Sequence, residues 1–172
     1  MTPKARLSLP RTLIEACGAE AARMFPLETG GALMGQRFGP DLWQVDHIIG
    51  PGPGARHERY RFQPDADWHH ARIAERFHAT GGCSTYIGDW HSHPRARHGR
   101  MSIVDRAAAR TILRSPDSGC DRVLTGILWG DPNGWRLNAW ACELDGGWPW
   151  NAGVAVVEVR VEPSDADASF IA

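Results

Sequence analysis

The densest cluster of chemically active side chains lies in GDWHSHPRARHGRMSIVD, residues 88–105. This stretch contains three histidines, two aspartates and three arginines. Its composition fits two kinds of site: a basic loop that binds an anion or a nucleic acid, and a metal site whose ligands are separated by a basic loop. The spacing of the side chains favours the second kind.

His91 and His93 stand two residues apart at the end of a predicted strand, STYIGDWH. Because alternate side chains of a strand point to the same face, both imidazoles can face one point. Asp105 lies in the first turn of the next predicted helix, so the chain can fold back and bring its carboxylate there. Two imidazoles and one carboxylate suit Zn²⁺ and leave a fourth position for water, as in catalytic zinc sites. Such a site lowers the pKa of bound water towards ~7.

Ser102 and Asp105 also fit a purely structural interpretation. Ser102-Ile103-Val104-Asp105 resembles a capping box, with serine as the N-cap and an acid three residues later. An isolated HxH pair is weak evidence for a metal. Both interpretations stay open, because a serine oxygen can accept from a backbone N–H while its own proton points into a site.

Composition limits the class of protein. A chain of 172 residues suits one domain, and a net charge of −1 creates no global field that attracts nucleic acid or an anionic membrane. No apolar run approaches the ~20 residues that cross a bilayer, and the N-terminus lacks a signal-peptide core. The four cysteines lie far apart without a CxxC pair, which is typical of reduced cytosolic thiols. We therefore expect a cytoplasmic protein with no nucleic-acid or membrane partner.

Hydrophobic periodicity predicts an α/β or α+β fold, with one mixed sheet covered by helices. Helices are predicted over residues 9–24, 65–79 and 102–115, the last with Val104, Ala108, Thr111 and Ile112 on its apolar face. Strands are predicted in LETGGALMGQRF, DLWQVDHIIG, HERYRFQPD, STYIGDWH, RVLTGILWG, WRLNAWAC and VAVVEVRVE. We expect residues 1–162 to form a single domain and residues 163–172 to form a flexible tail.

The motifs resemble the signature of the JAMM (MPN-plus) metalloproteases, which reads H-[ST]-H-P, seven residues, S, two residues, D. His91-Ser92-His93-Pro94, then RARHGRM, then Ser102-Ile103-Val104-Asp105 fill every fixed position. The signature also needs an upstream glutamate, often within E-x-G-G-x-L-x-G, and Glu28-Thr29-Gly30-Gly31-Ala32-Leu33-Met34-Gly35 provides it. YRFQPD resembles prokaryotic members as well.

The resemblance implies a compact JAB/MPN fold related to cytidine deaminases. It also implies zinc-dependent hydrolysis of isopeptide or peptide bonds at the C-terminus of ubiquitin or a ubiquitin-like protein. His91, His93 and Asp105 would bind one zinc ion. Glu28 would move the proton from the attacking water to the leaving amine, and Ser102 would donate to the oxyanion. Taken alone, Glu28 also fits a solvated carboxylate at a turn; the following Gly30-Gly31 pair allows a substrate or the metal loop to approach closely.

Substrate and partners follow from the same resemblance. Prokaryotic members occur beside E1- and E2-like proteins in bacterial conjugation systems, including antiphage (CBASS) operons, and ETGGALMG and GDWHSHP resemble this group. Other members process ubiquitin-like sulfur-carrier proteins, and relatives that lose the ligands are non-catalytic MPN scaffolds. SPDSGCD, after the last predicted helix, is too short for the insertion that accompanies linkage-specific cleavage of ubiquitin chains.

Several residues near the motif have two interpretations. Arg95, Arg97 and Arg100 fit a positive rim that binds substrate, or ordinary solvated arginines. Asp89 shares strand parity with His91 and could orient its ring, or could lie at the surface. His98 fits a substrate contact or an exposed loop residue, and the second is typical of a loop histidine.

Overall fold

The structure is a computed structural model that describes residues 5–146 and 153–172. Three helices, α1 to α3, and ten strands, β1 to β10, lie within these residues. In chain order they are β1 (Arg6–Pro10), α1 (Arg11–Met24), β2 (Gly30–Phe38), β3 (Leu42–Ile49), β4 (Arg56–Glu58), β5 (Arg61–Gln63), α2 (Ala66–Ala79), β6 (Thr85–Pro94), α3 (Ile103–Arg114), β7 (Arg122–Asp131), β8 (Gly134–Leu144), β9 (Val154–Ser164) and β10 (Ser169–Ile171).

Eight strands form one mixed sheet in the order β1-β9-β8-β7-β6-β2-β3-β10. β1 also pairs with β3, so the sheet closes on itself. The β6–β7 pair is parallel, whereas β6 is antiparallel to β2 on its other side. This architecture confirms the predicted mixed α/β class, and it places β6 in the middle of the sheet, where both of its edges are paired.

The helices pack on the sheet through short apolar stripes. In α1, Leu13, Cys17 and Ala21 enter the main core. In α3 the buried positions are Asp105, Ala109 and Leu113, at the i, i+4, i+8 spacing of one helix face. The predicted apolar face of α3 was therefore wrong by one position, since Val104 is 64% exposed. The observed rotation turns Asp105 inward.

The N-terminal end of the first predicted helix is a strand. Helix α1 begins at Arg11 with Pro10 as its N-cap, and the preceding RLSLP forms β1. Leu7 and Leu9 alternate into the core while β1 pairs in parallel with β9 and β3. These partners are remote in sequence, and no local pattern reveals them.

The last ten residues differ from the expected flexible tail. Ser169–Ile171 pairs in parallel with His47–Ile49 of β3, just beyond the residues of β3 that pair with β1. The His47 Nδ1 and Ser169 Oγ atoms lie 2.6 Å apart, and the Gly50 N–H donates to the Ile171 carbonyl at 2.6 Å. The tail fills an edge of β3 that would otherwise have unpaired backbone groups.

The segment HERYRFQPD forms a hairpin instead of one strand. Strands β4 and β5 pair in antiparallel fashion, separate from the main sheet. All four cysteines are free, as the wide spacing predicts. Among the described residues, no helix has the length and apolar character needed to span a membrane.

Candidate metal centre and cleft

The ring nitrogens of His91 and His93 and the carboxylate of Asp105 converge on one point. The two Nε2 atoms lie 3.0 Å apart, and the Asp105 oxygens lie 3.0 Å from His91 Nε2 and 3.6 Å from His93 Nε2. Zinc–ligand bonds of 2.0–2.1 Å give a tetrahedron with edges of about 3.3–3.4 Å. The separations are close to that value and the donors are nitrogen and carboxylate oxygen, so these residues fit a zinc-class cation.

Strand β6 and helix α3 position these side chains. The two histidines project from one face of β6, while Trp90, which directly precedes His91, is buried in the core on the other face. At the start of α3, the Asp105 N–H donates to Ser102 Oγ at 3.2 Å and the Ser102 N–H donates to Asp105 Oδ2 at 2.6 Å. The capping box is therefore present, and the same carboxylate faces the two imidazoles.

The electrostatics of Asp105 follow from these contacts. Burial acts to raise its pKa, but hydrogen bonds from His91 and His93, and from the Ser102 N–H, outweigh burial. The pKa of Asp105 is therefore well below its usual range. The residue is a carboxylate anion near neutral pH, as a metal ligand must be.

Glu28 lies in the same cleft, at the turn that enters β2. Its backbone N–H donates to the Glu58 carbonyl at 2.8 Å, and its own carbonyl accepts from His57 Nδ1 at 3.0 Å. Burial raises the pKa of its half-buried carboxyl group to about 7; His93 opposes this rise and Asp105 adds to it. A cation at the neighbouring ligands would lower that pKa, so Glu28 can accept a proton near neutral pH.

A buried hydrogen-bond network joins Glu28 to the histidine strand. The Thr29 N–H donates to Ser92 Oγ at 3.0 Å, and the Ser92 N–H donates to the Thr29 carbonyl at 2.7 Å. Thr29 Oγ1 then donates to the buried Glu20 carboxylate of α1 at 3.2 Å, and Arg23 binds the same carboxylate through two nitrogens. Sequence analysis missed this network. The strand parity of Ser92, opposite to that of the histidines, could have indicated an inward contact.

Gly30 brings β2 against β6 directly behind the histidines. A Cβ at this position would overlap the Trp90 carbonyl oxygen and would lie 2.9 Å from both Cα and Cβ of His91. The absence of a side chain at Gly30 therefore allows the backbone of β6, the strand that carries the histidines, to approach β2 closely. The spacing between Glu28 and His91 depends on this absence of a side chain.

The loop between the histidines and α3 rests on indole rings of the sheet. Trp140 Nε1 donates to the Gly99 carbonyl at 2.8 Å, and Trp129 Nε1 donates to Asn138 Oδ1 at 2.6 Å. A Cβ at Gly99 would lie only 2.5 Å from Trp129 Cδ1. RARHGRM therefore has a fixed midpoint, which sequence analysis did not foresee.

The metal-ligand cluster lies on the floor of a cleft of about 940 Å³. The β4–β5 hairpin forms one wall and the Val104, Ala108 and Thr111 side of α3 forms the other. The cleft is lined by the predicted site residues Glu28, His91, His93, Ser102, Asp105 and Arg95.

The remaining candidates lie elsewhere or have other contacts. Arg97, His98 and Arg100 are exposed and do not contribute to the described lining of the cleft. Asp89 lies on the cleft floor; burial raises its pKa to about 6, and a hydrogen bond with Tyr86 opposes that rise. The described hydrogen-bond partner of Asp89 is thus Tyr86, and not His91.

Comparison with known proteins places this geometry in context. A family model described as prokaryotic homologs of the JAB domain matches residues 10–143. The "Probable metalloprotease y4qB" of Sinorhizobium fredii is 37% identical over 136 residues, which cover 79% of this chain and 83% of that protein. The "CD-NTase/cGAS isopeptidase" of Vibrio cholerae is 37% identical over 91 residues, 53% of this chain and 57% of that protein.

Two further matches extend these findings. The Escherichia coli "CD-NTase/cGAS isopeptidase" is 33% identical over 67 residues, 39% of this chain and 42% of that protein. The solution structure of protein DSY2949 from Desulfitobacterium hafniense superposes with a TM-score of 0.67 at 20% identity, and the match covers 94% of each chain. This likeness shows a shared fold.

Proposed function

The chain belongs to the prokaryotic JAB-type peptidase family, and we propose that it is a zinc-dependent isopeptidase or peptidase. Its substrate would be a ubiquitin-like protein, or a protein conjugated through a similar tail, cleaved after the C-terminal tail. The observation that carries this proposal is the meeting of His91, His93 and Asp105 with Glu28 in one open cleft. The single catalytic domain predicted over residues 1–162 would also include the end of β9 and β10, which belong to the same sheet.

We assign one zinc ion to His91, His93 and Asp105, because two imidazoles and a carboxylate suit zinc and their separations fit tetrahedral bonds. Zinc bound there would acidify a water molecule and polarise the scissile carbonyl. The other steps belong to the protein's own groups.

Glu28 and Ser102 would perform the proton transfer and the oxyanion stabilisation. Glu28 accepts a proton from the attacking water and delivers it to the leaving amine, which is a poor leaving group until it is protonated. Ser102 Oγ already accepts from the Asp105 N–H, so its own proton is free to donate to the oxyanion. Each role requires the side chain to line the cleft, and both do.

Support for a conjugated protein substrate comes from the relatives. Two of them carry the name CD-NTase/cGAS isopeptidase. We propose by extension that this chain acts in the cytoplasm with E1- and E2-like partners, in a bacterial conjugation system of the antiphage type.

Metal analysis combined with turnover tests the proposal. Protein purified with zinc present should contain about one zinc per chain and should release the adduct from a ubiquitin-like fusion. Asp105→Ala should lose the zinc. Glu28→Ala should keep the zinc and lose activity by about 10²–10⁴-fold, the usual contribution of general acid–base catalysis.

Two results would contradict these assignments. Wild-type protein without stoichiometric zinc would remove the metal from the mechanism, and substantial turnover by Glu28→Ala would remove Glu28 from proton transfer. Because Glu28→Ala should bind substrate without cleaving it, a pull-down with this variant from cells that contain the neighbouring genes would identify the conjugated protein.

A further inference from the structure

Two sets of arginines in this protein differ in their contacts. Within the described residues, at least eight arginines form an ion pair with a carboxylate, and none of these eight lines the cleft: Arg6, Arg11, Arg23, Arg37, Arg72, Arg76, Arg122 and Arg160. The three arginines that do line the cleft are Arg59, Arg61 and Arg95, and none of them has an ion pair within the described part of the chain.

The sequence around the cleft explains the difference. The hairpin stretch RHERYRF contains three arginines and one glutamate. The stretch from Arg95 to Arg110 contains five arginines, and its one acidic residue is Asp105, which is buried among the candidate ligands. Both sides of the cleft mouth therefore have an excess of positive charge, although the whole chain has a net charge of −1.

Two of these guanidinium groups have defined positions at the rim. Arg95 has a left-handed backbone with φ of +65°, fixed by a hydrogen bond from its N–H to the Gly130 carbonyl at 2.6 Å. Its guanidinium lies 5.2 Å from the centroid of the Phe25 ring. On the β4–β5 hairpin, the Arg59 guanidinium lies 5.5 Å from the centroid of the Tyr60 ring. Stacking on a ring leaves the N–H groups at the guanidinium edge free to donate.

Charge complementarity then indicates what the rim binds. A guanidinium presents paired N–H donors that match a carboxylate, and positive charge around a cleft concentrates anionic ligands there. The carboxylates that line the cleft, Glu28, Asp89 and Asp105, lie on its floor. An acidic segment would thus meet the arginines at the mouth, away from these floor carboxylates.

We propose that Arg59, Arg61 and Arg95 select the substrate tail, so that the cleft prefers a tail with aspartate or glutamate in the segment that crosses the mouth of the cleft. The inference rests on the proposed function, because it concerns which tail enters a peptidase cleft. Basic tails are disfavoured by the same charges.

Matched tails test the preference. The zinc-loaded full chain is given fusion proteins that differ only in the tail segment that crosses the mouth of the cleft, where they carry two acidic residues, the corresponding amides or two lysines. We expect kcat/KM for the acidic tail to exceed that for the amide tail by about 5-fold or more, the effect of a few exposed ion pairs. The ratio should fall as salt is raised, because exposed charges are screened.

Substitutions of the arginines at the mouth of the cleft test whether these residues cause the preference for the acidic tail. Arg61→Gln and Arg95→Gln should each lower kcat/KM for the acidic tail by about 3- to 5-fold, and should lower it less for the amide tail, so that the ratio of the two values falls. Arg61→Glu should shift the preference towards the lysine tail. Arg56→Gln is the matched control, since Arg56 lies on the same hairpin, is exposed and does not line the cleft.

Equal kcat/KM for acidic and amide tails would overturn the inference, as would a preference that Arg61→Glu does not change. If the zinc-loaded protein cleaves none of the tails, the proposed function fails, and fluorescence anisotropy with the same tail peptides decides the inference separately. Tighter binding of the acidic peptide, reduced by Arg61→Glu, would support selection of acidic segments. Equal binding of the acidic and amide peptides would overturn it.

Discussion

The floor and the walls of the cleft are built in opposite ways. On the floor, β2 and β6 lie so close that Gly30 has no room for a Cβ, and Thr29 and Ser92 exchange two buried hydrogen bonds. On the walls, the arginines that face the opening are exposed and have no ion pair among the described residues. The contrast teaches that the spacing of the reacting groups is fixed by many contacts, while residues that meet substrate can change without affecting the fold.

Gly30→Ala should have the largest effect. Its Cβ would overlap the Trp90 carbonyl, which is backbone and cannot move aside cheaply. We expect the free energy of unfolding to fall by about 1–3 kcal/mol, as in other overpacked sites, and His91 to move away from Asp105 with loss of metal and turnover. Chemical denaturation and metal content measure the two effects.

Gly134→Ala is the control for this prediction, because a Cβ at Gly134 has no neighbour within 4 Å. This variant should unfold like the wild type and keep its metal. A Gly30→Ala protein with normal stability and full zinc occupancy would show that the floor tolerates movement.

Ser92→Ala should have the next largest effect. It removes the acceptor of the Thr29 N–H inside the protein, and an unpaired buried donor costs about 1–3 kcal/mol. Because Thr29 follows Glu28, we also expect kcat to fall while zinc content stays normal. Ser92→Thr keeps the hydroxyl group and should restore both properties; failure of this rescue would argue against the hydrogen bond as the cause.

His69 should make a smaller, pH-dependent contribution. The His69 side chain is buried in α2, beside the cleft, and its Nε2–H donates to the Gly50 carbonyl at 2.7 Å. Burial is the main cause that lowers the pKa of this histidine. The unfolded chain, with a histidine pKa of about 6.5, takes up a proton that the folded ring resists. The contribution of His69 to the free energy of unfolding is therefore complete above about pH 6.5, and it is lost as the pH drops below that value.

His69→Gln offers a donor that does not titrate, so the difference in unfolding free energy between wild type and variant should narrow as the pH falls from 7 to 5. His78→Gln provides the matched substitution, because His78 lies on the same helix, is exposed and is not among the groups that shift the pKa of His69. This variant should leave the pH profile unchanged. A His69→Gln profile parallel to that of the wild type would exclude this histidine as a source of acid sensitivity.

Arg61→Gln should have the smallest effect on stability, within about 0.5 kcal/mol, since Arg61 is exposed and has no described ion pair. Arg23→Gln provides the contrast. Arg23 binds the buried Glu20 carboxylate behind the floor, and its loss should cost about 1.5–3 kcal/mol, typical of hydrogen bonds to a charged group. Similar values for the two variants, measured by denaturation, would remove the distinction between floor and walls.

Sequence alone predicted the convergence of the histidines and Asp105, because strand alternation and a short return loop are local properties. It also located most of the central strands, whose apolar runs are long. The hydrogen bond between Thr29 and Ser92 was out of reach, since 63 residues separate the partners and neither side chain is unusual.

Other features depended on remote pairing or on shape. Pro10 fits the first turn of a helix, so the first predicted helix began at residue 9, although Leu9 and Pro10 belong to β1 and pair with β9. The three residues of β10 are too few to show alternation. The excess of arginine in RHERYRF is visible in the sequence, but which arginines line the cleft is a property of the folded surface.

The parallel pairing of β1 with β9 bears on the order in which a ribosome-bound chain can fold. Arg6–Pro10 leaves the ribosome well before its partners Arg160–Ser164. Strands β2, β3 and β6 and helix α3, which carry the floor of the cleft, are all synthesised in between. The nascent chain can therefore assemble the floor of the cleft while the sheet is still open, and closure through β9 must wait until β9 has been synthesised.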